Sequence, residues 1–264
     1  MNPDIIQQAR NNTPLVHHLT NQVVVNFSAN GLLAFGGSPV MAKELQEAAD
    51  MANIADALVL NIGTVLETEV PAMIAAGKAA NQKGIPVVLD PVGVAATPFR
   101  QKAVARILKE VRPTVIKGNA GEIASLVDTE IQMRGVDSVG EGNIDEIAEK
   151  AGKKFNTAIV ITGKTDVIYA NQQFIYNQTG HPLLATITGS GCLLGSVIAA
   201  CLTTSYDMSE QLRAALCFYG LAAEHAAEQP DVKGSGTFLP NFIDALSCTP
   251  KQLNGGSNND MESK

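Results

Sequence analysis

The chain has 264 residues, 45% of them hydrophobic, enough to bury a full-sized core in one α/β domain or two small ones. Its 19 basic and 26 acidic side chains leave a net charge of −7 and a pI near 5.1, which argues against broad nucleic-acid or anionic-membrane binding but not against a small anionic ligand. Four cysteines, Cys192, Cys201, Cys217 and Cys248, show no CxxC or Cys/His metal spacing, so buried free thiols are expected rather than a disulfide scaffold.

The first twelve residues carry no basic region followed by an apolar run, so no signal peptide is read and a cytoplasmic protein is expected. His17 and His18 are adjacent, without a helical i, i+4 partner, and read as turn histidines rather than metal ligands. Asn21–Phe35 has a helical pattern stopped by Gly36–Gly37, and Ser38–Ala42 suits a short strand. A helix over Glu44–Ile54 then leads to a buried strand at Ala57–Ile62. The same alternation continues with a helix at Glu67–Gln82, a strand at Pro86–Asp90, a helix at Pro98–Val111 and a strand at Thr114–Lys117. Helices at Ala120–Val127 and Ile144–Phe155 precede a strand at Ala158–Thr162. Asp166–Asn177 alternates like a hairpin turning at Asn171–Gln172. Helices at Gly191–Thr203, Ser209–Gln229 and Leu239–Leu246 follow. The apolar run Gly191–Leu202 is far short of the roughly 20 residues of a membrane helix.

Short apolar strands between helices imply an α/β fold: a mostly parallel central sheet with helices on both faces and an antiparallel edge. One domain is expected over residues 1–248, with 249–264 a disordered polar tail. Ligands of such sheets bind at the carboxyl ends of the strands. Asn61, Asp90, Lys117–Asn119 with Glu122, and Thr162 stand at those ends.

Two glycine motifs need separating from look-alikes. Gly163-Lys164-Thr165 resembles the end of a phosphate-binding P-loop, but Ala158 stands where the earlier glycine belongs. Gly189-Ser190-Gly191 opens a GxGxxxG rather than a GxGxxG, with a hairpin upstream rather than a βαβ unit. Its simpler use is an anion site, where glycines let backbone N–H groups converge at the start of an apolar helix. The plain alternative is a tight helix start.

Thr188-Gly189-Ser190-Gly191-Cys192, KGNAGEI at Lys117–Ile123, VLDPVG at Val88–Gly93 and the stretch Thr20–Met41 together resemble the hydroxyethylthiazole kinases of the ribokinase-like superfamily, over about residues 5–248. The resemblance implies a ribokinase-like fold and transfer of the γ-phosphoryl group of ATP, with Mg²⁺, to the alcohol of 4-methyl-5-(2-hydroxyethyl)thiazole, a step of thiamine salvage. It also implies a homotrimer whose thiazole sites lie between subunits, the N-terminal motif facing a neighbour's catalytic motifs.

On that resemblance, Gly189, Ser190, Gly191 and Cys192 form the catalytic turn, and Asp90 and Glu122 serve Mg²⁺, directly or through water. Lys117, Asn119 and Thr162 contact ATP, while Asn21, Met41 and Gly189 meet the thiazole. Lysine at position 117 departs from a frequent arginine and offers a point charge in place of a fork. Plain readings stand beside each: a turn carboxylate at Asp90, a capping box for Asn119 with Glu122, a solvated Lys117, a turn Thr162, a core Met41 and a cap Asn21. Cys192 stands where many related sugar kinases place an aspartate base; its helix N-terminus would lower the thiol pKa, and it is read as lining the substrate hydroxyl. Rival readings are another ribokinase-like kinase of a small vitamin alcohol, a related nucleotide-hydrate dehydratase, which is expected to carry the aspartate missing here, and a non-catalytic binder.

Overall fold

The computed structural model describes residues 1–127 and 141–254, of residues 141–143 the backbone alone. Helix α1 (Pro3–Asn12) leads into β1 (Leu15–Leu19), α2 (Val25–Phe35), β2 (Ser38–Val40), α3 (Leu45–Ile54) and β3 (Ala57–Asn61). Next come α4 (Val70–Lys83), β4 (Val87–Asp90), α5 (Pro98–Glu110), β5 (Val115–Asn119), α6 (Ala120–Leu126) and α7 (Glu141–Phe155). Strands β6 (Ala158–Thr162), β7 (Asp166–Ala170) and β8 (Gln173–Asn177) precede α8 (Ser190–Cys201), α9 (Met208–Ala227), α10 (Ser235–Ala245) and α11 (Pro250–Leu253).

The strands form one eight-stranded sheet in the order β2-β1-β3-β4-β5-β6-β7-β8. The first six positions are parallel and the β7–β8 hairpin is antiparallel, as the alternating pattern implied. Successive strand residues point to opposite faces. Val16, Val59, Val88, Val115 and Val160 therefore pack beneath α1, α2, α8, α9 and α10, while Leu58, Leu60, Leu89, Ile116 and Ile159 pack against α3 to α7. The hairpin turns at Asn171 (φ 52°) and Gln172 (φ 62°), the paired positive angles of a two-residue turn.

Several boundaries differ from expectation. Helix α1 and strand β1 were not anticipated, although Asn2 caps α1 through the Asp4 N–H and Pro3 opens it. His17 and His18 lie in buried β1 and not in a turn. Helix α2 starts at Val25 rather than Asn21, because residues 22–24 turn out of β1 before the helix begins. Helix α10 begins at Ser235, where the glycines around it read as loop. The expected tail is ordered at its start: Thr249 and Gln252 form a capping box for α11, which buries Leu253. Residues 255–264 lie outside the described residues.

His18 Nε2 lies 2.9 Å from Ser196 Oγ of α8, and its Nδ1 lies 2.9 Å from the Val16 carbonyl. Burial pushes its pKa down to about 4. The unfolded chain takes up the proton near pH 6.5 and the native one only near 4, so stability falls as pH drops through that window. Relative to His18→Gln, the unsubstituted chain is expected to lose about 3 kcal/mol between pH 7 and pH 4 in urea titrations. A pH-independent difference would contradict a neutral buried imidazole.

Candidate active site

Because β1, β3, β4, β5 and β6 run parallel, their carboxyl ends open on one side of the sheet. The register pairs Asn61 with Asp90 and Asn119 with Thr162. Asn61 is the hub. Its Nδ2 donates to Asp90 Oδ2 at 2.9 Å and to Cys192 Sγ at 3.2 Å, and its Oδ1 accepts from Asn21 Nδ2 and the Gly63 N–H, both at 2.9 Å. Asn21 Nδ2 also approaches the same sulfur, at 3.6 Å. A Cβ on Gly63 would lie 2.6 Å from Asn21 Nδ2, so only a glycine lets this turn close over the amide.

Asp90 and Lys117 form an ion pair at 3.1 Å with 1% and 3% exposure. Burial pushes the Asp90 carboxyl up to about 6 in spite of the lysine beside it. For Lys117, burial is the largest influence and acts to lower the pKa, yet the charge and hydrogen bond of Asp90 together with Cys192 and Glu122 outweigh it, and the ammonium is held above its ordinary value. The remaining Asp90 oxygen, Oδ1, is buried without a partner. Lys117 Nζ also donates to the Gly191 carbonyl at 2.8 Å. Lys117 is thus not solvated; it binds the strand ends to the glycine turn.

Gly189 precedes α8 at φ +90° and no side chain caps the helix. The N–H groups of the first helical turn have no intrahelical acceptor, which leaves an anion site at the positive end of the helix. Ser190 Oγ donates to the Leu184 carbonyl at 2.8 Å, and Tyr219 Oη donates to the Ser190 carbonyl at 2.6 Å. Cys192 corrects one expectation. Burial, seconded by the Asp90 charge, raises its thiol pKa against the pull of Lys117, Asn61 and Asn21. Burial is the largest influence, and with the thiol held above its ordinary value it is neutral near pH 7.

Asn119 and Glu122 do make the capping box, with Oδ1 of Asn119 accepting the Glu122 N–H at 2.9 Å and Oε2 of Glu122 accepting the Asn119 N–H at 2.8 Å. Glu122 Oε1 accepts the Gly93 N–H at 2.8 Å, which ties the loop after β4 to the start of α6. Arg100 holds that loop from the other side. Its guanidinium donates to the Ile62 carbonyl at 2.9 Å, to the Val92 carbonyl at 2.6 Å and to the Gly63 carbonyl.

A cavity of about 910 Å³ adjoins the glycine turn, lined by Thr162, Gly180, Leu194 and Tyr219 and reaching Ser190 and Gly191. Thr162 Oγ1 lies 3.4 Å from the Gly118 carbonyl. The structure therefore brings Asn21, Asp90, Lys117, Gly191 and Cys192 together, with Thr162 on the cavity wall. Met41 follows the edge strand β2, two strands away from Asn61. Asn21 joins its own chain's cluster, whereas the resemblance had turned the whole N-terminal motif toward a neighbour. Arg100 and Tyr219 were not among the expected site residues, and Asn61 was expected only as a polar strand-end residue with no role of its own. The strand-end position of Asn61 was visible; the other two act on backbone carbonyls, for which the sequence holds no signal. Among the described residues, no group of three or more His, Cys, Asp and Glu side chains forms a metal cage, and no helix is long and apolar enough to cross a membrane.

Residues 6–252 match the model of the hydroxyethylthiazole kinase family. Hydroxyethylthiazole kinase 1 of Oceanobacillus iheyensis is 61% identical over 256 residues, 97% of this chain and 100% of its own. A solved hydroxyethylthiazole kinase structure from Pyrococcus horikoshii superposes with a TM-score of 0.87 at 34% identity, over 97% of this chain and 96% of the other. A ribokinase-like superfamily protein from Enterococcus faecalis shares the fold at a TM-score of 0.66 and 16% identity, over 97% and 95% of the two chains.

Proposed function

As a member of the hydroxyethylthiazole kinase family, the chain phosphorylates the hydroxyl group of 4-methyl-5-(2-hydroxyethyl)thiazole with ATP, and we propose that transfer takes place over the glycine turn of α8 beside Asp90 and Cys192. The observation that carries this placement is the hydrogen-bonded cluster itself: Asn21, Asn61, Asp90, Lys117 and Cys192 converge on the open end of a helix whose first residues, Ser190 and Gly191, line a nucleotide-sized cavity. Family membership also sets aside the dehydratase and the non-catalytic binder.

In this reading the cavity takes the nucleotide along Thr162, and the N–H groups of Ser190, Gly191 and Cys192 receive the charge that develops on the transferring group. Phosphoryl transfer passes through a loose transition state, so positioning and charge neutralisation do most of the work. Two amide N–H groups point at the Cys192 sulfur, which leaves the thiol proton directed elsewhere, toward the substrate hydroxyl. A neutral thiol is a weak base; its part is to line and orient that hydroxyl. Asn119 supports the nucleotide side through the capping box.

Mg²⁺ belongs to this proposal as well. The unpartnered Asp90 Oδ1 is a buried oxygen fit to accept from a metal-bound water or ligate the ion, and Glu122, in the first turn of α6, accepts from Gly93 of the loop that follows Asp90. An all-protein cage is not required, since Mg²⁺ keeps waters and phosphate oxygens in its shell. When bound it would neutralise charge on the phosphoryl oxygens. A homotrimer and a cytoplasmic location complete the reading. The first is supported by the place of Met41 after the edge strand β2, two strands from Asn61, and by exposed Val23, Leu33 and Leu66; the second is supported by four free cysteines and by the use of ATP.

ADP release measured over a panel of primary alcohols is expected to depend on the thiazole alcohol and on Mg²⁺. Cys192→Ala is expected to lower kcat only about tenfold, below the hundredfold or more of a true general base. Complete loss of turnover with unchanged substrate binding would overturn the positioning role of the thiol.

A further inference from the structure

Two side chains donate to carbonyl oxygens in the first turn of α8. Tyr219, on α9 and 4% exposed, donates its hydroxyl to the Ser190 carbonyl at 2.6 Å. Lys117, from β5, donates to the Gly191 carbonyl at 2.8 Å. The Tyr219 ring is fixed edge-on against Phe242, with centroids 5.0 Å apart and planes at 86°. Helical carbonyls in this position accept from the residue four ahead, so the helix does not need either extra donor.

The peptide bond links each carbonyl to the next residue's N–H. The Ser190 carbonyl shares a resonant amide with the Gly191 N–H, and the Gly191 carbonyl shares one with the Cys192 N–H. A donor on the oxygen draws electron density from the nitrogen and strengthens the N–H as a donor, as in any hydrogen-bonded chain. We propose that Tyr219 is a positioning residue of the phosphotransfer, holding the Ser190 carbonyl so that the Gly191 N–H is aimed and polarised toward the transferring phosphoryl group. Lys117 does the same for the Cys192 N–H. This inference rests on the placement of transfer over the glycine turn. A hydroxyl that merely satisfies its own burial would leave turnover unaffected when removed with its partner still bonded in the helix.

Tyr219→Phe in the full chain separates the two. The expected result is a kcat about three- to tenfold lower with KM for the thiazole alcohol within about twofold, together with an upfield move of the Gly191 amide nitrogen resonance and little change at Cys192. Normal kcat in the folded variant would overturn the proposal. If the variant loses its fold, protein carrying 3-fluorotyrosine at its four tyrosines strengthens the same donor, and the Gly191 resonance is expected to move downfield; no movement is equally fatal. Titrating the unsubstituted chain with the β,γ-methylene analogue of ATP tests the placement on its own. Gly191 and Cys192 amides that respond while Tyr219→Phe turns over normally leave the placement standing and remove Tyr219. Amides that ignore the analogue remove the placement.

Discussion

Asp90→Asn is expected to lower kcat at least about a thousandfold and the melting temperature by about 10 °C. The substitution keeps the shape and most hydrogen bonds but removes the charge that holds Lys117. The lysine, 3% exposed, is then left as an uncompensated ammonium in the interior. Breaking a buried pair on one side costs about 3–5 kcal/mol, against little for removing both partners together. The double substitution Asp90→Asn with Lys117→Met is therefore expected to recover much of the stability and none of the activity. Calorimetry and the ADP-release assay read the two effects separately. Activity within tenfold of the unsubstituted chain, at an unchanged melting temperature, would refute the role given to this pair.

Gly189→Ala is expected to lower kcat about a hundred- to a thousandfold, the loss typical of an anion site whose donors no longer converge. Two causes act together. The backbone sits at φ +90°, where a side chain is strained, and an added Cβ would lie 2.5 Å from Val24 Cγ1 and 3.3 Å from Phe27 Cδ1. The turn must shift, and with it the N–H groups of Ser190 and Gly191. Adding Val24→Ala removes the contact but not the angle, so it is expected to restore part of the stability with little of the turnover. A Gly189→Ala chain active within threefold would show that the turn does not set the reacting geometry.

The parallel sheet was legible because β3, β4 and β6 are short apolar runs buried on both faces, as in ALVLN of β3. Strand β1 was not, because LVHHL places two histidines where a strand pattern expects apolar residues; in the fold one meets Ser196 and the other the Ala42 carbonyl. Glu122 was legible as a capping residue, since Asn119 three positions before it marks the start of α6. The direction of the Cys192 pKa was not legible. A helix start is a local feature and burial is a tertiary one, and here burial decides. Tyr219 sits in an apolar helix whose pattern announces core packing; its partner is a main-chain carbonyl that no side-chain pattern reveals.

The Arg100 clamp has a bearing on how this enzyme can change. With one guanidinium gripping the carbonyls of Ile62, Gly63 and Val92, the loops that follow Asn61 and Asp90 travel as one body. Neither residue can drift to suit a different alcohol without dragging the other. In the proposed placement, adaptation to a bulkier acceptor falls to elements outside that grip, such as the segment around Met41, which separates altered substrate range from intact chemistry.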